Sequence, residues 1–142
     1  MNQYLRILIV DDDRTIREGL SLMLHDIEPQ ARVLMAGTGA EALETAMRFP
    51  VDLILTDVKM QVMDGLELVE NLRRLNFSGE AVIISGFDEF DFVRKALKLG
   101  AADYLLKPVK AQELGAVCGE CARRLREKKQ PALSLSPLEL SD

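Results

Sequence analysis

The sequence predicts an α/β fold in which a parallel sheet carries helices on both faces. Three observations predict it: five short apolar runs, an amphipathic stretch after each, and strict alternation of the two along 142 residues. Runs that are apolar throughout suit strands buried on both sides, and connections of helical length allow the crossovers that parallel strands need.

The first run, residues 5–10, is followed by 14–26, where Ile16, Leu20, Met23 and Leu24 share one helical face. The second strand is predicted over 32–36 and its helix over 39–49. The third run, 51–56, leads to 65–75, where Leu66, Val69 and Leu72 repeat at helical spacing. A fourth strand over 81–85 precedes a helix over 87–99, and a fifth over 103–106 precedes one over 111 to about 128. Residues 122–129 then carry Arg123, Arg124, Arg126, Lys128 and Lys129 against Glu127 alone. Two readings stay open for that basic end: an approach to a second domain, or a solvated helix terminus whose cations favour the dipole. Pro131 stops the helix, and the stretch from there on, with two prolines, three serines and little periodicity, reads as a linker or frayed tail. The expected organisation is one domain over 1–129 and a tail over 130–142.

Composition narrows the function. Eighteen Lys and Arg against 23 Asp and Glu give a net charge of −5, which disfavours a nucleic-acid or anionic-membrane surface. No apolar run approaches membrane-spanning length and the N-terminus is unlike a secretory signal, so the expected location is cytoplasmic, without membrane association. A chain this size buries about 68–70% of its unfolded surface, enough to need no staple. Cys118 and Cys121 form CGEC inside a helical pattern, with a single histidine, His25. Ordinary reduced thiols are expected there, with redox or metal chemistry the alternative.

Ligands of a parallel α/β sheet bind outside the carboxyl ends of its strands. The first strand ends in Asp11, Asp12 and Asp13, the third in Asp57, the fourth in Ser85 and the fifth in Lys107-Pro108. Carboxylates at close range repel one another unless a cation sits among them. Oxygen ligands with an incomplete protein shell suit Mg²⁺, which commonly partners phosphate, and a lysine and a hydroxyl nearby suit phosphate oxygens. Together they describe a phosphoryl-transfer site whose protein nucleophile is a carboxylate. The plainer reading of Asp13 is a helix N-cap.

The strings ILIVDDD, LILTDVKMQVMDG, VIISGFDEF and GAADYLLKPV resemble the receiver domain of bacterial two-component response regulators over about residues 5–127. The resemblance implies a flavodoxin-like sheet in strand order 2-1-3-4-5. It also implies that Asp57 accepts a phosphoryl group from a sensor histidine kinase, with transfer and slow hydrolysis catalysed by the domain itself. Asp11 and Asp12 match the acidic pair, and Mg²⁺ is implied on Asp12, Asp57 and the main-chain carbonyl of Lys59, beside Asp11. Ser85 matches the switch hydroxyl, Tyr104 the switch aromatic, Lys107 the phosphate-binding lysine, and Lys107-Pro108 the family's cis peptide. The stretch from Ser85 to Val109 further resembles receivers joined to an AraC-type helix-turn-helix output, through which alone DNA would be touched. Gln61 departs from the proline usual after the methionine, which bears on the rigidity of the loop holding Lys59. The Lys59 side chain itself has two readings, steadying phosphate or projecting into solvent.

An enzyme reading competes. Asp11, Asp13 and Thr15 also spell the DxDxT of haloacid-dehalogenase-like phosphatases, but the acidic cluster expected after the lysine is represented only by Glu113 and Glu120 on a helix. The output face implied by the receiver resemblance comprises the helix from Phe87, the strand bearing Tyr104 and the last helix, with phosphorylation-dependent homodimerisation. Phe87, Phe90 and Phe92 cluster at that face, and Phe90 and Phe92 lie about 200° apart around a helix, so one of them is expected to be exposed.

Overall fold

The computed structural model describes residues 4–86 and 88–129. Five parallel strands, β1 (Arg6–Val10), β2 (Arg32–Ala36), β3 (Leu53–Asp57), β4 (Glu80–Ser85) and β5 (Asp103–Leu106), pair in the order β2-β1-β3-β4-β5. Five helices alternate with them: α1 (Arg14–Ile27), α2 (Gly39–Arg48), α3 (Gly65–Arg74), α4 (Phe90–Lys98) and α5 (Ala111–Lys129). The alternating side chains of the central strands divide the core. Ile7, Ile9, Leu53, Leu55, Val82 and Ile84 face Leu20 and Leu24 of α1 and Leu114, Val117, Cys118 and Cys121 of α5. On the opposite face, Leu8, Val10 and Ile54 meet Ala42, Leu68 and Leu72, while Ala81 and Ile83 meet Val69 and Ala96. Each buried Val, Leu or Ile among them contributes about 1.5–3 kcal/mol by leaving water. Both faces being covered is why the runs are apolar throughout.

The chain leaves β1 for the edge strand β2, then returns past β1 to β3. The order reverses there, and a crevice opens outside the carboxyl ends of β1 and β3. Polar pins close the opposite end of the sheet. Asp52 Oδ2 accepts from Arg6 N (2.9 Å) and Nε (3.0 Å), and Oδ1 from Nη2 (3.1 Å). The Asp52 amide still donates to Arg6 O (2.8 Å) and its carbonyl accepts from Glu80 N (2.9 Å), and β3 proper begins at Leu53 rather than at residue 51.

Helix α4 begins at Phe90, three residues later than the sequence predicts. The Glu89 amide donates to Gly86 O (3.1 Å) and Glu89 Oε1 accepts from Gly86 N (2.7 Å), so Glu89 is tied back to Gly86 ahead of the helix. Phe87, and the tail expected over 130–142, lie outside the described residues. Phe90 is 63% exposed while Phe92 packs against the α3–α4 side of the core, as their separation around the helix requires. At the basic end of α5, Arg123 pairs with Glu120 (2.7 Å) and Glu127 (2.8 Å), Arg124 forks onto Glu80, and Lys128 donates to Ser78 O (3.1 Å). Glu120 and Glu80 thus balance cations that the local sequence sets against Glu127 alone. Among the described residues, no helix is long and apolar enough to cross a membrane.

Candidate functional site

Each strand that feeds the crevice ends in a polar group because the backbone there leaves the sheet and the core stops. Asp11 (2% exposed), Asp57 (5%) and Ser85 (0%) are the acids and hydroxyl buried there, while Asp12 points out of the core. Asp11 Oδ1 accepts from the Asp13 amide (2.9 Å), and Asp11 O accepts from Arg17 Nη1 (2.7 Å), which fixes the turn into α1. Asp13 caps α1, its Oδ1 accepting from Thr15 N (2.9 Å) and Ile16 N (3.3 Å). The second acid and the threonine amide of the DxDxT string are thereby spent on a helix end.

Asp57 is held from the other side by a close approach of α3. A Cβ on Gly65 would stand 2.6 Å from Asp57 O and 2.8 Å from Val58 Cα, so only glycine lets the helix start here. The Gly65 amide donates to Val58 O (2.8 Å), and Asp64 and Glu67 close a capping box behind it. Between them the loop turns without the usual proline: the Met63 amide donates to Gln61 O (2.8 Å), and Met60 is buried. Val62 sits at φ 69° and is fully exposed, a left-handed conformation that costs a β-branched residue about 1–2 kcal/mol.

Carboxylate oxygens of Asp11, Asp12 and Asp57 lie within 4.8 Å of one another. Lys107 Nζ is 2.7 Å from Asp57 Oδ1. That contact is an ion pair off the axis of a directed hydrogen bond. Among the described residues, Asp57 Oδ1 and Ser85 Oγ are the buried side-chain polar atoms with no hydrogen-bond partner. Burial holds the Asp57 carboxyl above its ordinary range, against the pull of Lys107 and with the charges of Glu89 and Asp12 adding to the rise. Asp11 is raised as well, mainly by burial and then by Asp57, despite its bond from the Asp13 amide. Burial works to lower Lys107, but Asp57, Asp11 and Glu89 together outweigh it, and the ammonium is held above its ordinary value. A region crowded with acids, two of them disfavoured as anions, is chemically set to take a divalent cation and an electrophile bearing oxygens.

The structure brings together Asp11, Asp12, Asp57, Ser85 and Lys107, and the Lys107–Pro108 peptide is cis. The Lys59 side chain is exposed, and its ammonium is 3.4 Å from Glu89 Oε2 and 5.8 Å from the centre of the Phe92 ring. Tyr104 stands apart on the edge strand β5, 41% exposed, beside a hollow of about 280 Å³ that Phe90, Leu97 and Leu106 also line. Cys118 and Cys121 are fully buried in α5 on the α1 side of the sheet, with burial pushing both thiols up to about 12. Arg17 and Glu89 are the site's neighbours that sequence reasoning missed. Glu89 carried a usable signal, four residues past the strand-end Ser85 and three past Gly86, where a loop is as natural as a helix.

The family model for the response regulator receiver domain matches residues 7–118. The chain is 34% identical over 132 residues to the uncharacterized transcriptional regulatory protein YesN of Bacillus subtilis, covering 89% of this chain and 36% of that protein. It is 31% identical over 134 residues to the transcriptional regulatory protein HptR of Staphylococcus aureus, covering 93% and 52%. It therefore spans about a third to a half of the length of these curated relatives. The solved receiver domain of AraT, a response regulator from Geobacillus stearothermophilus, superimposes with a TM-score of 0.77 at 34% identity, covering 88% of this chain and 98% of that one. With the strand order, the acid cluster and these relatives in agreement, the chain belongs to the response regulator receiver family.

Proposed function

We propose that this receiver accepts a phosphoryl group on Asp57 from a sensor histidine kinase and uses it to switch an output, most naturally transcription. The observation that carries the proposal is that two buried atoms without a hydrogen-bond partner, Asp57 Oδ1 and Ser85 Oγ, belong to the ends of neighbouring strands, the first of them beside the Lys107 ammonium. A buried hydroxyl without a partner costs free energy that an arriving phosphoryl oxygen would recover. In the transfer, a carboxylate oxygen of Asp57 attacks phosphorus, the bond from phosphorus to the donor imidazole nitrogen breaks, and the freed imidazole takes up a proton. Lys107 then pairs the phosphoryl oxygens and Ser85 donates to one of them.

The donor set fits Mg²⁺: three carboxylates within 4.8 Å, two of them buried, leave an anionic pocket that hard oxygen coordination would neutralise. Asp12, Asp57 and the main-chain carbonyl of Lys59 would hold the ion, with Asp11 beside them. Bound there it would offset negative charge as the phosphoryl group approaches.

Ser85 moving toward phosphate would open space for Tyr104 to turn, carrying the change to the face of α4, β5 and α5, where a second copy would dock. The half-exposed Tyr104 and Leu106 and the exposed Phe90 support that face. DNA contact would belong to a separate output domain, and the domain would work in the cytoplasm. Incubation with Mg²⁺ and acetyl phosphate tests the proposal: a stable, acid-labile label is expected. Catalytic turnover of many phosphate esters would favour the phosphatase instead, and no reaction would contradict both.

A further inference from the structure

Glu89 makes contacts that the fold of α4 does not require. It occupies the cap position of the helix, yet its side chain makes no bond to the helix's free amides. It turns back toward the site, where Oε1 accepts from Gly86 N (2.7 Å) and Oε2 lies 3.4 Å from Lys59 Nζ. The pair is unequal: the Glu89 side chain is 11% exposed, that of Lys59 60%. A carboxylate so far out of water needs both partners, whereas the ammonium is free to exchange one anion for another.

Lys59 begins two residues after Asp57, on the loop that leaves the acid-bearing strand end. Its ammonium nevertheless spans to the β4–α4 turn, held in place by Glu89 and by the ring of Phe92. The Glu89 charge also reaches the acid pocket, where it raises both Asp57 and Lys107. A phosphoryl group brings roughly two negative charges to that pocket, a stronger attractor for a mobile ammonium than one carboxylate.

We propose that Glu89 is a positioning residue for phosphoryl acceptance: it holds Lys59 away from the acids at rest and yields it to the oxygens of a phosphoryl group on Asp57. This rests on Asp57 being the phosphoacceptor. Once Lys59 leaves, Glu89 retains only the Gly86 amide and faces a like charge, so the turn that starts α4 loses its tie to the β3–α3 loop. The exchange thus connects charge at Asp57 to the start of α4, a helix of the output face.

The test is the affinity of the 142-residue chain for beryllofluoride with saturating Mg²⁺, followed by amide NMR in four backgrounds. Glu89→Gln keeps an oxygen to accept from Gly86 N and removes the charge; Lys59→Met keeps an apolar stem over Phe92 and leaves the main-chain carbonyl in place. Glu89→Gln is expected to bind about two- to five-fold tighter, the scale of one exposed ion pair, and Lys59→Met to bind weaker by a similar factor. Added to Lys59→Met, Glu89→Gln should yield less than half of that gain, because the ammonium it frees is gone. An undiminished gain in the Lys59→Met background would show simple repulsion and overturn the exchange, as would no gain in the wild-type background. Failure of the wild-type chain to bind beryllofluoride at all would instead overturn the role of Asp57.

Discussion

Lys107 Nζ lies 2.7 Å from Asp57 Oδ1, and that oxygen still has no directed hydrogen bond. The two are charge-matched without being geometrically satisfied. Such a contact is easily given up for a better-placed anion, and a phosphoryl group on Asp57 would supply one.

Replacing Lys107 with alanine should therefore uncouple labelling from switching. The nucleophile and the acid cluster remain, so labelling by acetyl phosphate should persist, slowed several-fold. The amide shifts that accompany beryllofluoride binding in α4 and β5 should be largely lost. Wild-type shifts in a fully occupied Lys107→Ala protein would remove the lysine from the switch.

Asp11 offers a pH test with a definite sign. Its folded-state carboxyl is raised above 3.8, chiefly by burial. Below that ordinary value it is protonated in both states; as pH climbs through the raised value, ionising it costs the folded state more than the unfolded one. Its contribution therefore makes the metal-free fold less stable as pH rises across that window. Asp11→Asn keeps an acceptor for the Asp13 amide and removes the charge, so it should raise the metal-free melting point at neutral pH, by roughly 3–6 °C per kcal/mol relieved. It should also shrink the stabilisation that Mg²⁺ gives the wild-type protein, about 2.7 kcal/mol at a hundredfold excess over Kd. Calorimetry with and without Mg²⁺ reads both; a lowered metal-free melting point would contradict the assignment of strain to that carboxyl.

Gly65→Ala should destabilise the fold by about 1–3 kcal/mol, because its Cβ would meet the backbone of Asp57 and Val58 rather than a side chain able to move. Urea denaturation measures the loss. The same substitution should weaken Mg²⁺ binding, since the displaced strand end carries Asp57; unaltered stability and affinity would mean that α3 shifts freely.

If the face of α4, β5 and α5 joins two copies, sedimentation with Mg²⁺ and beryllofluoride should show a dimer where the untreated protein is monomeric. Phe90→Asp, at an exposed site on that face, should abolish the shift while leaving beryllofluoride binding intact. A monomer at high concentration in both states would contradict the dimer.

Much of this architecture was legible in the sequence because buried parallel strands write themselves as unbroken apolar runs, and because strand-end acids have nowhere to go but the crevice. The order of Asp11, Asp57, Ser85 and Lys107 survived into the structure as one cluster. What failed was local and polar. The start of α4 was read at Phe87 because FDEFDF keeps a helical hydrophobic pattern, and periodicity cannot see a side chain bonding backward to Gly86 N. The direction of Lys59 was open for the same reason: a long flexible stem takes its orientation from a partner thirty residues away, Glu89. Arg17 reads as a polar face residue, yet its guanidinium reaches Asp11 O.

The most direct measurement is the site of the phosphoryl label. After incubation with Mg²⁺ and acetyl phosphate, mass spectrometry of the digested chain should find one phosphorylated peptide, carrying the modification on Asp57, and the Asp57→Asn protein should fold normally and take no label. Undiminished labelling of Asp57→Asn, with Asp11 the first place to look, would contradict the assignment of Asp57 as the nucleophile.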